Sequence, residues 1–126
     1  MALNESRGQQ LALTTLAPAA RITTGNGTGV DLVAAGAVTV HLQVGVVTDG
    51  THTITLQESV DNSTFTAVGA GDQSGTLTAL ASNVNQKIGY IGNKRYIRAV
   101  ATLAGATVGG VYGALVIQTD LRKQPQ

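Results

Sequence analysis

For chemistry this 126-residue chain offers two histidines, seven carboxylates, eight basic residues and no cysteine. The lack of Cys removes thiol catalysis, disulfides and cysteine metal sites together. His41 and His52 stand in neither HxH nor HxxxH spacing, so a metal site would need a third ligand that this pattern does not supply. Both are expected at the surface or rim. A serine nucleophile needs a base and an acid around it, and no Gly-x-Ser-x-Gly occurs. Asp49, Glu58, Asp61 and Asp72 fall mostly in turn sequences, where such side chains hydrogen-bond their own backbone. No ladder of alternating Asp and Asn oxygens marks a Ca²⁺ loop. Gly25, Gly27 and Gly29 alternate in "TGNGTG", but no Lys-Ser/Thr follows, so a tight turn using positive φ is expected there in place of a phosphate cradle. No enzymatic activity, cofactor or metal is expected.

The basic cluster Lys87, Lys94, Arg95 and Arg98 has Tyr90 and Tyr96 among it. Those are the residue types of a single-stranded nucleic-acid site, which combines a charged groove with stacking aromatics. A net charge of +1 with 12% charged residues points instead to an acidic protein surface, or to the chain's own acidic turns. The residues expected at a partner contact are Arg7, Arg21, Lys94, Arg95, Arg98, Arg122 and Lys123. Asn26-Gly27-Thr28 and Asn62-Ser63-Thr64 match glycosylation sequons and read as turn residues by default.

The elements that must position these residues read as strands. Thr occurs 17 times and Gly 16, with two Pro and 3% aromatics, so an aliphatic core between β-branched strands is expected. At this length one domain is expected. In "VTVHLQV" Val38, Val40, Leu42 and Val44 share a face, and Thr39, His41 and Gln43 share the other. In "THTITLQES" Ile54 and Leu56 alternate with Thr53, Thr55 and Gln57. Joined by Thr48-Asp49-Gly50, the two form a hairpin that pairs Val44 with Ile54 and Leu42 with Leu56, with Gly50 left-handed. Asp61-Asn62-Ser63 is the next turn, "TLTAL" a short strand, and "NKRYIRAVATL" a strand with Ile97, Ala99, Ala101 and Leu103 on one face. The N-terminus lacks the basic start and continuous apolar run of a signal peptide, and an extended arm or edge strand is expected there.

Residues 99–119 carry no charge. That length suits a membrane helix, and Gly105 and Gly109 form a GxxxG pair. The alternation entering the segment and its glycine-rich middle argue for two buried strands joined through a turn and bulge. The expected fold is all-β, an antiparallel β-sandwich or jelly roll of about eight short strands. It divides into an extended N-terminal arm at 1–24, a β-sandwich domain at 25–120 and a polar C-terminal tail at 121–126.

The ordered strings "TGNGTGVDL", "VGVVTDGTHTITLQES" with "DNSTFTAV", "GYIGNKRYIRAVAT" and "GGVYGALVI" resemble a family of small capsid decoration, or cement, proteins of tailed double-stranded-DNA bacteriophages. The likeness spans about residues 20–120, while the tail "LRKQPQ" departs from it. The resemblance implies a structural virion protein with no catalytic residues, made in the bacterial host cytoplasm. It would bind the outer capsid surface as a homo-oligomer, dimer or trimer, and cement neighbouring major capsid subunits. Neither nucleic acid nor membrane is expected as a partner. Two other classes stay open: a carbohydrate-binding β-sandwich, and a membrane-active phage protein using residues 99–119.

Overall fold

An alternating segment must remove one of its faces from water, and Val40, Leu42 and Val44 make that demand on one segment while Ile54 and Leu56 make it on the next. The computed structural model describes residues 10–32 and 36–119, and it meets both demands by setting the two segments face to face. The strands are β1 (Gln10–Arg21), β2 (Gly25–Asn26), β3 (Val30–Asp31), β4 (Ala37–Val47), β5 (Thr51–Ser59), β6 (Thr66–Ala67), β7 (Gln73–Ser74), β8 (Gln86–Tyr90), β9 (Tyr96–Ala104) and β10 (Gly110–Thr119). One sheet has the order β1-β10-β4-β8-β7 and the other β2-β9-β5-β6, with β3 also on β9. Every pairing is antiparallel. The chain is the expected β-sandwich. Its strand count exceeds the expectation because β2, β3, β6 and β7 are two-residue pieces.

The core between the sheets is aliphatic. Leu16, Val40, Leu42, Ile54, Ile88, Ile97 and Val116 are each at most 2% exposed, and each such burial stabilises the fold by roughly 1.5–3 kcal/mol.

The expected hairpin does not form. β4 pairs β10 and β8, whereas β5 pairs β9 and β6. The link at 48–50 therefore crosses between sheets, and Val44 and Leu42 face the other sheet instead of pairing with Ile54 and Leu56. Apolar matching is satisfied equally by pairing within a sheet and by packing across a core, so periodicity could not separate the two. Gly50 does take the left-handed conformation, at φ 83°, and an added Cβ would also meet Ala106 at 2.8 Å.

The uncharged stretch is two strands, β9 and β10, which again lie in different sheets. Gly105 and Gly109 have φ of 71° and 86°, and the β10–β4 register shifts between Gly110 and Tyr112. Turn and bulge stand where the glycines placed them. No helix among the described residues is long and apolar enough to cross a membrane. "TLTAL" is not a strand: no ladder forms there, and Leu80 instead packs into the core, its N–H donating to the His52 carbonyl at 2.9 Å.

Residues 10–21, expected within an extended arm, are extended and hydrogen-bonded into the sandwich as its edge strand. β1 carries register shifts between Thr14 and Leu16 and between Leu16 and Ala19. At the first of these Thr15 reaches across to the other sheet. Its carbonyl accepts from the Thr28 N–H at 2.6 Å. Its hydroxyl donates to the Thr28 carbonyl at 2.7 Å and accepts from the Ala99 N–H at 3.0 Å. Gly27 lies between these strands, and an added Cβ would sit 2.5 Å from both the Ala99 and Thr15 carbonyl oxygens. Gly25, Gly27 and Gly29 do not take positive φ; for Gly27 close approach, not turn geometry, excludes a side chain. Removing residues 1–24 would strip Leu16 and Thr15 from the domain, so it would unfold the sandwich. The tail 121–126 lies outside the described residues.

Candidate functional site

The two interstrand crossings, 48–50 and 105–109, meet at one end of the sandwich, and Asp49 ties them together. Its carboxylate accepts from the N–H groups of Thr107, Val108 and Gly109, the last at 2.7 Å. The Thr48 N–H returns a bond to the Gly109 carbonyl at 2.9 Å. The Gly109 N–H, then those of Val108 and Thr107, holds the Asp49 carboxyl below its ordinary value, against some desolvation. Asp49 therefore caps a distant loop and not its own turn.

His52 lies beneath this cap and is fully buried, contrary to the expected rim position. Its Nε2 is 2.9 Å from the Asp49 carbonyl oxygen and its Nδ1 2.9 Å from the Tyr112 hydroxyl. A carbonyl can only accept, so in the neutral ring Nε2 carries the proton and Nδ1 accepts from Tyr112. The two rings meet edge to face, with centroids 5.3 Å apart. Burial pushes the Tyr112 phenol up, with the nearby Arg21 guanidinium opposing. Arg21 packs 5.7 Å from that ring and donates to the Ala17 carbonyl. This His–Tyr pair is sealed inside the protein and holds the crossings in place. His41 sits elsewhere, on β4 between Leu115 and Lys87.

What the same end presents to solvent is aliphatic. Of ten exposed large hydrophobic residues among those described, five gather here: Ile22, Val46, Val84, Val108 and Val111. Ile22 follows β1 and approaches Gly109, Val46 is the last residue but one of β4, and Val111, second in β10, lies beside Gly45. Val84 is brought in by the neighbouring Asn83 N–H, which donates to the Gly45 carbonyl at 2.8 Å. Among the described residues the charges here are Arg21, folded onto its own strand, and Asp49, spent on the cap.

Among the described residues the opposite end holds most of the charge. Arg95 forms a two-pronged pair with Asp31, at 3.0 and 2.8 Å, and lies 5.2 Å from the Tyr96 ring. The buried Tyr90 donates to Glu58 at 2.8 Å and accepts from the Lys94 N–H at 3.0 Å. Burial first, then Glu58, pushes its phenol up to about 12. Asp61 accepts from the Ser63 and Thr64 N–H groups and the Ser59 hydroxyl, the turn chemistry expected of it. The Asp72 carbonyl accepts from the Ile91 N–H. Gly92 is required where the "YIG" loop folds over Tyr90, since an added Cβ would come 2.5 Å from the phenol oxygen.

The expected contact residues are thus dispersed. Arg21 sits at the aliphatic end, and Lys94 and Arg95 at the charged end. Arg98 lies on β9 with its guanidinium on Gln57 and 4.0 Å from the Phe65 ring. Arg7, Arg122 and Lys123 lie outside the described residues; the chain enters β1 and leaves β10 at the charged end, where Gln10 pairs Thr119. Reasoning from the sequence missed the aliphatic end, because its five residues come from four separate segments. Among the described residues no group of three His, Cys, Asp or Glu could hold a metal ion. No family model and no curated protein matches the sequence.

Proposed function

We propose that this chain is a structural virion protein that binds the outer surface of a bacteriophage capsid and cements neighbouring major capsid subunits. The observation that carries this reading is the gathering of Ile22, Val46, Val84, Val108 and Val111 at one end of a stiff sandwich, where the two described charges are turned to internal bonds. Gathered aliphatic side chains at a surface mark a contact with another protein. A framework whose loops are tied by buried or backbone-directed bonds loses little freedom on docking. Many copies on one particle make weak single contacts sufficient.

The glycan-binding alternative needs an open aromatic face for stacking. Tyr90 and Tyr112 are buried, Phe65 lies under Arg98, and Tyr96 lies beside Arg95. A membrane helix over 99–119 is replaced by two strands of different sheets.

Co-sedimentation of the purified full chain with empty, expanded capsids tests the proposal, scored by stoichiometry. Saturable binding at a fixed number of copies per capsid subunit is expected, and Val108→Lys should weaken it about tenfold or more, since a desolvated contact rejects an unpaired charge. No binding to expanded shells overturns the reading.

A further inference from the structure

A strand inside a sheet has two ladders to fill, and β5 fills only one of them throughout. It pairs β9 from Thr51 to Ser59. In β9 the N–H and carbonyl of Ala99 turn away from β5, to Thr15 and Gly27, so Val100 and its even-numbered neighbours bond the odd-numbered residues of β5. The even-numbered residues of β5 therefore direct their N–H and carbonyl groups to the other edge. There the Leu56 carbonyl accepts from the Val68 N–H at 3.0 Å, and the His52 carbonyl from the Leu80 N–H at 2.9 Å. Between these two bonds lie the N–H and carbonyl of Ile54 and the N–H of Leu56, and among the described residues nothing bonds them. Ile54 and Leu56 are each 2% exposed, so bulk water does not take the place of a partner. A groove of about 360 Å³ lies over the gap, walled by Thr53, Ile54, Thr55 and Leu56 on one side and by Gly75 and Leu77 on the other.

The missing partner stands across that groove. Residues 76–80, "TLTAL", are the segment whose pattern called for a strand, and the bond from Leu80 to His52 is the first rung of an antiparallel ladder. The next rung would set Thr78 against Ile54, with N–H to carbonyl in both directions. Thr78 has given these groups to a side chain instead. Its N–H donates to Gln86 Oε1 at 3.0 Å, and its carbonyl accepts from Gln86 Nε2 at 3.2 Å. A carboxamide offers the same donor and acceptor as a peptide unit, so Gln86, on β8 of the other sheet, stands in for β5. One pair of groups on Thr78 thus has two complementary seats, one filled and one empty. Gly75, at φ 106° with open space around it, supplies the hinge.

We infer that residues 75–79 are a latch with two seats, which closes onto β5 by exchanging the Gln86 side chain for the Ile54 backbone. Closure makes the Thr78–Ile54 rung in both directions and shuts the groove. The filled seat has a consequence for the aliphatic end, which rests on the capsid reading above. Gln86 clasps the loop 78–86, within which Ser82 and Asn85 bond the β4 backbone and Val84 is presented to solvent. With the clasp made, the loop is held at both ends and Val84 keeps its place beside Val46. With the latch on β5, one end of the loop is released.

Amide exchange followed by NMR on the full chain tests the latch with no capsid present. In the native chain the Ile54 N–H should exchange about tenfold or more faster than those of Thr53 and Thr55, which bond β9. Gln86→Leu empties the filled seat. In that variant Ile54 exchange should slow about tenfold or more while Thr78 stays protected, and a scalar coupling should appear across the new bond from the Ile54 nitrogen to the Thr78 carbonyl carbon. Gln86→Glu, which keeps the acceptor, loses the donor and disturbs packing least, should fall between the two. A native Ile54 as slow as Thr53 and Thr55 would overturn the inference. So would either variant in which Thr78 loses protection and Ile54 gains none. A Gln86→Leu chain that closes the latch yet sediments with capsids undiminished would leave the latch intact and detach the 78–86 loop from the capsid contact alone.

Discussion

The two ends of the sandwich solve the same problem with opposite materials. Each must hold loops that run between or along the sheets. At the charged end the main fastenings are side chain to side chain and partly exposed, Arg95 on Asp31 and Tyr90 on Glu58, while Asp61 holds the backbone of its own turn. At the aliphatic end it is turned inward, with Asp49 on three backbone N–H groups and His52 between Asp49 and Tyr112. Polar groups used internally leave the outer surface to valine and isoleucine. An apolar contact surface on a stable protein is made here by where the polar groups point, not by their absence.

Glycine substitutions should break this contrast hardest. Gly109→Ala puts a Cβ onto the Arg21 carbonyl oxygen at a position with φ 86°. Backbone cannot yield there, so a loss of about 3 kcal/mol or more, roughly 10 °C in melting temperature, is expected by calorimetry. Gly92→Ala at the charged end meets the Tyr90 ring instead, and a ring can shift, so the loss should be smaller. Equal losses would mean that the two ends are equally rigid.

Tyr112→Phe should come next, at about 1–3 kcal/mol in denaturant unfolding, because it leaves the buried Nδ1 of His52 without a donor. Tyr90→Phe should cost about 1 kcal/mol and also change the pH profile. A tyrosine held up to about 12 contributes stability that is complete below its unfolded value near 10 and is lost as pH rises from 10 toward 12. Tyr90→Phe should flatten that alkaline decline, leaving the part that Tyr112 supplies with the same sign. On the acid side the sign reverses. Asp49 and Asp61 are held below 3.8, so their contributions are present above that value and vanish as pH falls through the lowered one. Asp49→Asn should remove its share of the acid transition and lower the melting temperature.

The smallest effect on stability belongs to Val46→Lys and Val108→Lys, whose side chains are 57% and 62% exposed. Each should leave stability within about 0.5 kcal/mol. Capsid binding, where these residues are proposed to act, should fall; unchanged binding would detach the aliphatic end from function.

The strands themselves were legible, because period-two alternation in 38–44, 53–57 and 97–103 is a local property that survives in any β-fold. So were the bends at Gly50, Asp61 and Gly105, which depend on backbone freedom or on a side chain bonding its neighbours. Not legible was which strand faces which. Val44 with Ile54 satisfies the same apolar rule whether the two pair or pack across the core, and the structure chooses packing because β9 and β10 occupy the ladders beside β5 and β4. That choice also decided the site. It drew His52 inside, set Asp49 on a loop some 60 residues away, and collected Ile22, Val46, Val84, Val108 and Val111 from segments that share nothing in sequence. Alternation and turn chemistry act between near neighbours, so the sequence by itself determined the elements. Which elements pair, and what surface their ends compose, rests on long-range packing and was decided by the tertiary structure.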